Sequence, residues 1–285
     1  DKVEAAVASS FVSWWAQPRL GGALLSNQST VEGEPVVLPT VGYLQRVDMA
    51  ALQAVAEQHD LKVFLSVLPG KFCTPGNPVA QVQGLGSQNH DCLGQMVSTF
   101  HLADQRTDDQ DPRFGLVVLC EIACRALSPA VNDPGTAIDV IGTSTRLFHQ
   151  WALARQKSPT DPLYDRIFVP ELREQDLFDD AFNGLARDGA SMVEVSIRLQ
   201  KAFQAMACFG DDRIRAASIE HSRRALARNE LAMTLQQDIE AVRRAAGFQA
   251  RNTCYNQRLS STQPQHLPML AQQRNTLIAA FEAAA

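Results

Sequence analysis

At 285 residues the chain exceeds what one hydrophobic core usually serves, since cores stop growing at about 250 residues. A hydrophobic content of 45% and a charged content of 20% exclude wholesale disorder. The net charge of −5 lacks the basic footprint that phosphate backbones demand, which excludes nucleic acid as the expected partner.

No run of about 18 apolar residues, enough to cross a bilayer, occurs in the sequence. The longest, GLVVLCEIACRAL, is interrupted by Glu121 and Arg125 and reads as a core helix. The sequence begins at Asp1 with no signal-peptide pattern, so it reads as a piece of a longer protein.

In chain order, VEAAVASSFVSWWA predicts a helix that Pro18 and Gly21-Gly22 end. From Pro35 the pattern turns to strands: PVVLPTVGYLQRV, LKVFLSVL from Leu61 and NPVAQVQG from Asn77. Between the first two, Asp48 is the expected N-cap of a short helix carrying Leu52, Val55, Ala56 and His59 on one stripe. The Pro69–Pro78 segment holds two Pro-Gly pairs around Phe72, which predicts a tight turn between strands. It has no Met-Lys-Met hairpin that would carry biotin or lipoate, and no cofactor is expected.

After Gly86 only helices are predicted. Their core stripes are Leu116, Leu119, Ala123 and Leu127; then Ile138, Ile141, Thr145 and Phe148; then Met192, Val195, Leu199, Phe203 and Met206; then Leu231, Leu235, Ile239 and Val242. A last helix is expected from Leu270 to Ala285. The fold class that follows is α+β, a small β-rich barrel or sandwich-like module followed by a mostly α-helical bundle domain. The boundaries are residues 1–34 for an N-terminal helix and linker, 35–86 for the β-rich module and 87–285 for the helical domain.

Six cysteines without CxxC spacing read as reduced, mostly buried thiols. His90, Cys92 and His101 repeat no known metal-site spacing, and no metal site is expected. Two polar stretches remain as carriers of chemistry. Asp104, Asp108, Asp109 and Asp111, interleaved with Arg106 and Arg113, could ligate a divalent ion. They equally suit a solvated helix start in which Asp111 caps and Pro112 takes the first helical position. In RALSPAVNDPGTA, Ser128-Pro129 stops one helix and Asp133-Pro134 starts the next. Arg125, Ser128, Asn132 and Thr136 are thereby left as polar groups at a turn that could cradle an anion. Asp133 opposes that by its charge. No catalytic residue can be assigned, because the nucleophile elbow, the P-loop, the dinucleotide fingerprint and the metalloprotease helix are all missing.

Four segments carry a family likeness: GYLQRVD from Gly42, PGKFCTPGNPVAQV from Pro69, RTDDQDPRFGL from Arg106 and EIACRALSPAVNDPGTAIDVI from Glu121. With these the chain resembles DUF2254, a bacterial family of predicted inner-membrane proteins of unknown function. The resemblance covers the middle of the chain and is diffuse beyond Asp161. It implies an upstream block of transmembrane helices as a partner within the same protein, attachment to the inner membrane and a cytoplasmic position for this part. It supplies no reaction.

The expected function is therefore a cytosolic regulatory, ligand-sensing or assembly domain of a multi-pass inner-membrane protein. Its candidate ligand site comprises Arg106, Asp111, Arg125, Ser128, Asn132, Asp133 and Thr136, for a small ligand or ion, with homo-oligomerisation along helical faces. A metal-assisted hydrolase using the aspartates from Asp104 to Asp111 is the first alternative. A purely structural oligomerisation domain is the second.

Overall fold

The computed structural model describes residues 2–26, 31–86, 90–159 and 161–247. The helix expected from Leu270, the polar stretch before it and Cys254 lie outside these.

The first helix, α1 (Lys2–Ala16), ends before a turn at Pro18–Gly21. It buries Val7, Phe11 and Trp14 along one face. Short strands follow: β1 (Gly22–Leu24), β2 (Glu34–Val37) and β3 (Gly42–Val47). Helix α2 (Met49–Gln58) starts where expected, with the Asp48 carboxylate accepting from the Ala51 amide at 3.0 Å. Next come β4 (Lys62–Leu65), β5 (Phe72–Cys73), β6 (Pro78–Gln83), α3 (His90–Val97) and β7 (Phe100–Ala103).

Two sheets result. The larger has the order β1-β8-β4-β6-β2, where β8 is Tyr164–Val169; the smaller is antiparallel, in the order β5-β3-β7. The expectation of helices alone after Gly86 is thus corrected at β7 and β8. Strand β8 lies between β1 and β4 in the larger sheet and runs parallel to both. Its Ile167 and Val169 are buried, the period-two signature of a strand with one face on the core. Phe168 points the other way and stacks on Phe64 with ring centroids 4.7 Å apart. A parallel partner needs a long crossover, and here the whole of α4 and α5 intervenes, so no turn residue announces the pairing.

The helical layer comprises α4 (Phe114–Ala126), α5 (Pro134–Gln156), α6 (Glu174–Asp188), α7 (Val193–Phe209), α8 (Asp212–Ala232) and α9 (Gln236–Ala245). Phe148, Phe178, Phe182 and Phe203, one or two from each of α5, α6 and α7, form a fully buried aromatic cluster. Phe11 and Trp15 of α1 meet Trp151 of α5 edge-on, at 4.8 and 4.7 Å. The stripe through Leu116, Leu119, Ala123 and Leu127 is buried throughout. The stripe proposed from Leu231 to Val242 is not: Leu231 and Leu235 are exposed and only Val242 is fully covered. The chain breaks at Met233 between α8 and α9, so the two halves of that stripe belong to helices with different axes.

Candidate functional site

The Pro-Gly turn, the Arg106 loop and the β8-to-α6 connection converge on one cleft of about 570 Å³. The turn is fixed first by its backbone. The Gly70 amide donates to the Leu44 carbonyl at 2.7 Å and the Leu44 amide to the Lys71 carbonyl at 2.9 Å, which brings Phe72 opposite Tyr43 across β5 and β3. Gly70 stands at φ +91°, a left-handed conformation that glycine adopts without strain. A Cβ added there would lie 2.2 Å from Asp111 Oδ2. The turn is therefore seated directly on the Asp111 carboxylate.

Asp111 is 1% exposed. Arg106 donates to its Oδ2 from Nε at 2.8 Å, with Nη2 forming an ion pair 2.7 Å from the same oxygen, while the Arg113 amide donates to Oδ1 at 3.1 Å. Burial pushes the Asp111 carboxyl above its usual range, and the Arg106 guanidinium pulls against that. The expected solvated cap at Asp111 is thus replaced by a buried ion pair, and α4 starts at Phe114, with Arg113 at its N-cap. A buried carboxylate with a guanidinium paired to one oxygen and an amide donating to the other is a satisfied one.

Arg113 turns its side chain to α6, donating to Asp180 from Nε at 2.5 Å and Nη2 at 3.1 Å. Burial works against the Arg113 charge, but the Asp180 carboxylate more than offsets it and holds Arg113 protonated. Arg173 grips Asp176 from Nε at 3.2 Å and Nη2 at 2.8 Å. Lys71 is exposed and makes no ion pair with the described residues. Four cations, Lys71, Arg106, Arg113 and Arg173, thus line the cleft against the two lining carboxylates Glu171 and Asp176. Arg106, Arg113 and Arg173 are already paired with Asp111, Asp180 and Asp176, so Lys71 is the lining cation that has no ion pair among the described residues.

Of the residues selected from sequence, only Arg106 and Asp111 belong here. Arg125, Ser128, Asn132, Asp133 and Thr136 lie at the far end of α4, which at 1.5 Å per residue is about 20 Å long. Their turn is closed on itself. The Ser128 hydroxyl donates to the Arg125 carbonyl at 2.7 Å, and the Asp133 amide to the Ala126 carbonyl at 2.8 Å. Asp133 caps α5 as expected, accepting from the Thr136 amide at 3.1 Å and its hydroxyl at 2.6 Å. The Thr136 hydroxyl and amide hold the Asp133 carboxyl below its usual range. Asn132 occupies φ +50°, a conformation that asparagine tolerates better than most residues. Beside this turn runs a shallow groove of about 430 Å³, lined by Val118, Ile122, Arg125, Val131, Asp133 and Thr136 among others.

The remaining carboxylates of the hydrolase alternative, Asp104, Asp108 and Asp109, are exposed while Asp111 is consumed by Arg106. Among the described residues no three His, Cys, Asp or Glu side chains gather to hold a metal ion. Cys73, Cys92 and Cys120 are buried, Cys124 is half-buried and Cys208 exposed.

The cleft residues missing from the site expected from sequence are Lys71, Phe72, Arg113 and Arg173, Arg113 having been noted only as interleaved with the aspartates. For Lys71 and Phe72 the signal was present, since both sit between the two Pro-Gly pairs. Arg173 had none, because β8 delivers it from outside every recognisable segment.

The family described as "Predicted membrane protein (DUF2254)" matches residues 19–205. The chain belongs to that family. Every residue lining the cleft lies inside the DUF2254 match. Among curated proteins, an uncharacterized protein of Mycobacterium bovis and two of Mycobacterium tuberculosis are each 33% identical over 136 residues, which is 46% of this chain. The match spans only 26% of each of these relatives. No solved structure matches the chain. Among the described residues no helix is long and apolar enough to cross a membrane.

Proposed function

We propose that this chain is a cytoplasmic ligand-sensing domain of a multi-pass bacterial inner-membrane protein, and that its ligand is an anion seated between Lys71, Arg106, Arg113 and Arg173. The observation that carries the reading is the convergence of four cations, from three segments far apart in sequence, on one cleft of about 570 Å³. Ligand sites are concave, few and built from a small number of convergent polar groups. Membership of a predicted membrane-protein family supports a receiving partner in transmembrane helices of the same protein.

Thermal unfolding in the presence of inorganic phosphate, citrate or nucleotides, at constant ionic strength, tests it. A ligand at 100 times its dissociation constant stabilises the fold by about 2.7 kcal/mol. The expected result is a raised Tm that Lys71→Glu and Arg173→Glu each abolish. Unchanged Tm with every anion, or variants that respond like the original protein, would overturn the reading. Protease accessibility of this domain in inverted and right-side-out vesicles of the full-length protein tests the cytoplasmic side.

A second reading, assembly through the helical layer, draws on the groove beside the Asn132 turn, where Ile122 is 39% and Val131 54% exposed. Exposed apolar residues along a groove suit self-association. Sedimentation velocity should then show an oligomer that Ile122→Glu dissociates, and a monomer at every concentration would remove this reading.

A further inference from the structure

We infer that the anion recognised by the cleft is a nucleotide, its phosphate on the cations and its base on the face of Phe72. This rests on the anion reading above and narrows it. Phe72 belongs to a two-residue strand whose other member, Cys73, is buried. Strand alternation therefore sends the Phe72 ring outward, and it remains 51% exposed while lining the cleft. Tyr43, its cross-strand partner, meets it edge-to-face at 5.0 Å and 65°, which sets the ring's orientation. A half-exposed, held aromatic ring contributes nothing to a bare phosphate or carboxylate. It does suit a flat heterocycle, because bases stack on aromatic side chains whatever their identity.

The cations can receive a phosphate without breaking the fold. Arg113 and Arg173 make their carboxylate hydrogen bonds from Nε and Nη2, and Arg106 uses Nε with Nη2 beside the same oxygen; Arg113 Nη1 stands 3.9 Å from Asp176, so among the described residues it is Nη1 of Arg106 and of Arg173 that has no carboxylate partner. A guanidinium has five donors in a planar fork, and the unused ones suit phosphate oxygens. Lys71, next to Phe72 in sequence, brings a point charge to the same wall of the cleft. The volume of about 570 Å³ lies inside the range of roughly 300–1,000 Å³ usual for small-molecule sites. Glu171 and Asp176 stand among the apolar lining residues Val67, Leu68, Pro170 and Leu172, and burying their charge against an acyl chain disfavours a lipid occupant.

The test is equilibrium dialysis of the whole chain, at constant ionic strength, against AMP, ribose 5-phosphate, inorganic phosphate and adenosine. AMP should bind about tenfold tighter than ribose 5-phosphate, the scale of one base stacked on an aromatic ring. Phe72→Ala should bring AMP down to the ribose 5-phosphate level and leave ribose 5-phosphate itself unchanged, whereas Phe72→Trp should keep the preference. Unaltered Tm in both variants checks that the fold persists. Equal binding of AMP and ribose 5-phosphate, or a preference that survives Phe72→Ala, overturns the nucleotide inference and leaves the anion site standing. Failure of all three phosphate-bearing probes overturns both. Capture by anionic phospholipid vesicles, lost in Phe72→Ala, with no AMP bound, would assign the cleft to a membrane surface instead.

Discussion

Gly70→Ala and Gly76→Ala form a controlled pair, because the two glycines share almost the same backbone, φ +91° and +93°, but not the same surroundings. The backbone part, placing a Cβ in the left-handed region, costs about 1–2 kcal/mol at either position. At Gly76 the added Cβ meets nothing within 4 Å, so that is the whole penalty. At Gly70 it falls 2.2 Å from Asp111 Oδ2 and 2.6 Å from Asp111 Cγ. The carboxylate must move, and Asp111 is 1% exposed with its charge balanced by Arg106. Breaking a buried pair while its charge stays buried costs about 3–5 kcal/mol. Partial relaxation of the turn lowers this, so Gly70→Ala should be about 3 kcal/mol more destabilising than Gly76→Ala. Urea unfolding followed by far-ultraviolet circular dichroism, with linear extrapolation, reads the difference directly. In an Asp111→Ala background the obstacle is gone, and the two glycine substitutions should then cost the same. Equal costs in the original background would refute the claim that the turn rests on the Asp111 carboxylate.

Arg155→Met should destabilise by about 3 kcal/mol near pH 8, because Arg155 Nη1 lies 2.5 Å from a Glu174 carboxylate that is only 5% exposed. Burial already raises the Glu174 carboxyl above its usual value near 4.5, against the opposing pull of Arg155. A raised folded-state value means that the proton favours the fold. Without Arg155 it rises further, so the variant's penalty should shrink as the pH falls from 8 toward 5; urea midpoints at the two ends check this, and a constant penalty counts against it. Asn132→Ala, at φ +50°, should cost about 1 kcal/mol, whereas Asn132→Gly should match the original protein. Neither should change anion affinity at the cleft, and loss of binding in Asn132→Gly would return the turn to the functional site. Asp48→Ala removes the N-cap of α2 and should cost about 1 kcal/mol, measurable as a lower urea midpoint without loss of AMP binding.

Local chemistry alone determined the helix starts and stops: Asp48 before α2 and Asp133-Pro134 before α5 act through hydrogen bonds within three residues, and the structure keeps both. The same holds for the buried stripe from Leu116 to Leu127, because period and burial are properties of one helix, and for membership of the family, which rests on contiguous strings. Only the tertiary structure decided what β8 pairs with, since a parallel strand finds its partners across a long crossover that leaves no adjacent turn signal. It also decided the site. Arg106 and Asn132 are close in sequence, but a rigid helix holds their loops about 20 Å apart. Lys71 and Phe72 instead share one cleft with Arg173, which lies far along the chain from them. Charge in a sequence is legible residue by residue, whereas the field that several charges make together exists only once the chain has brought them to the same place.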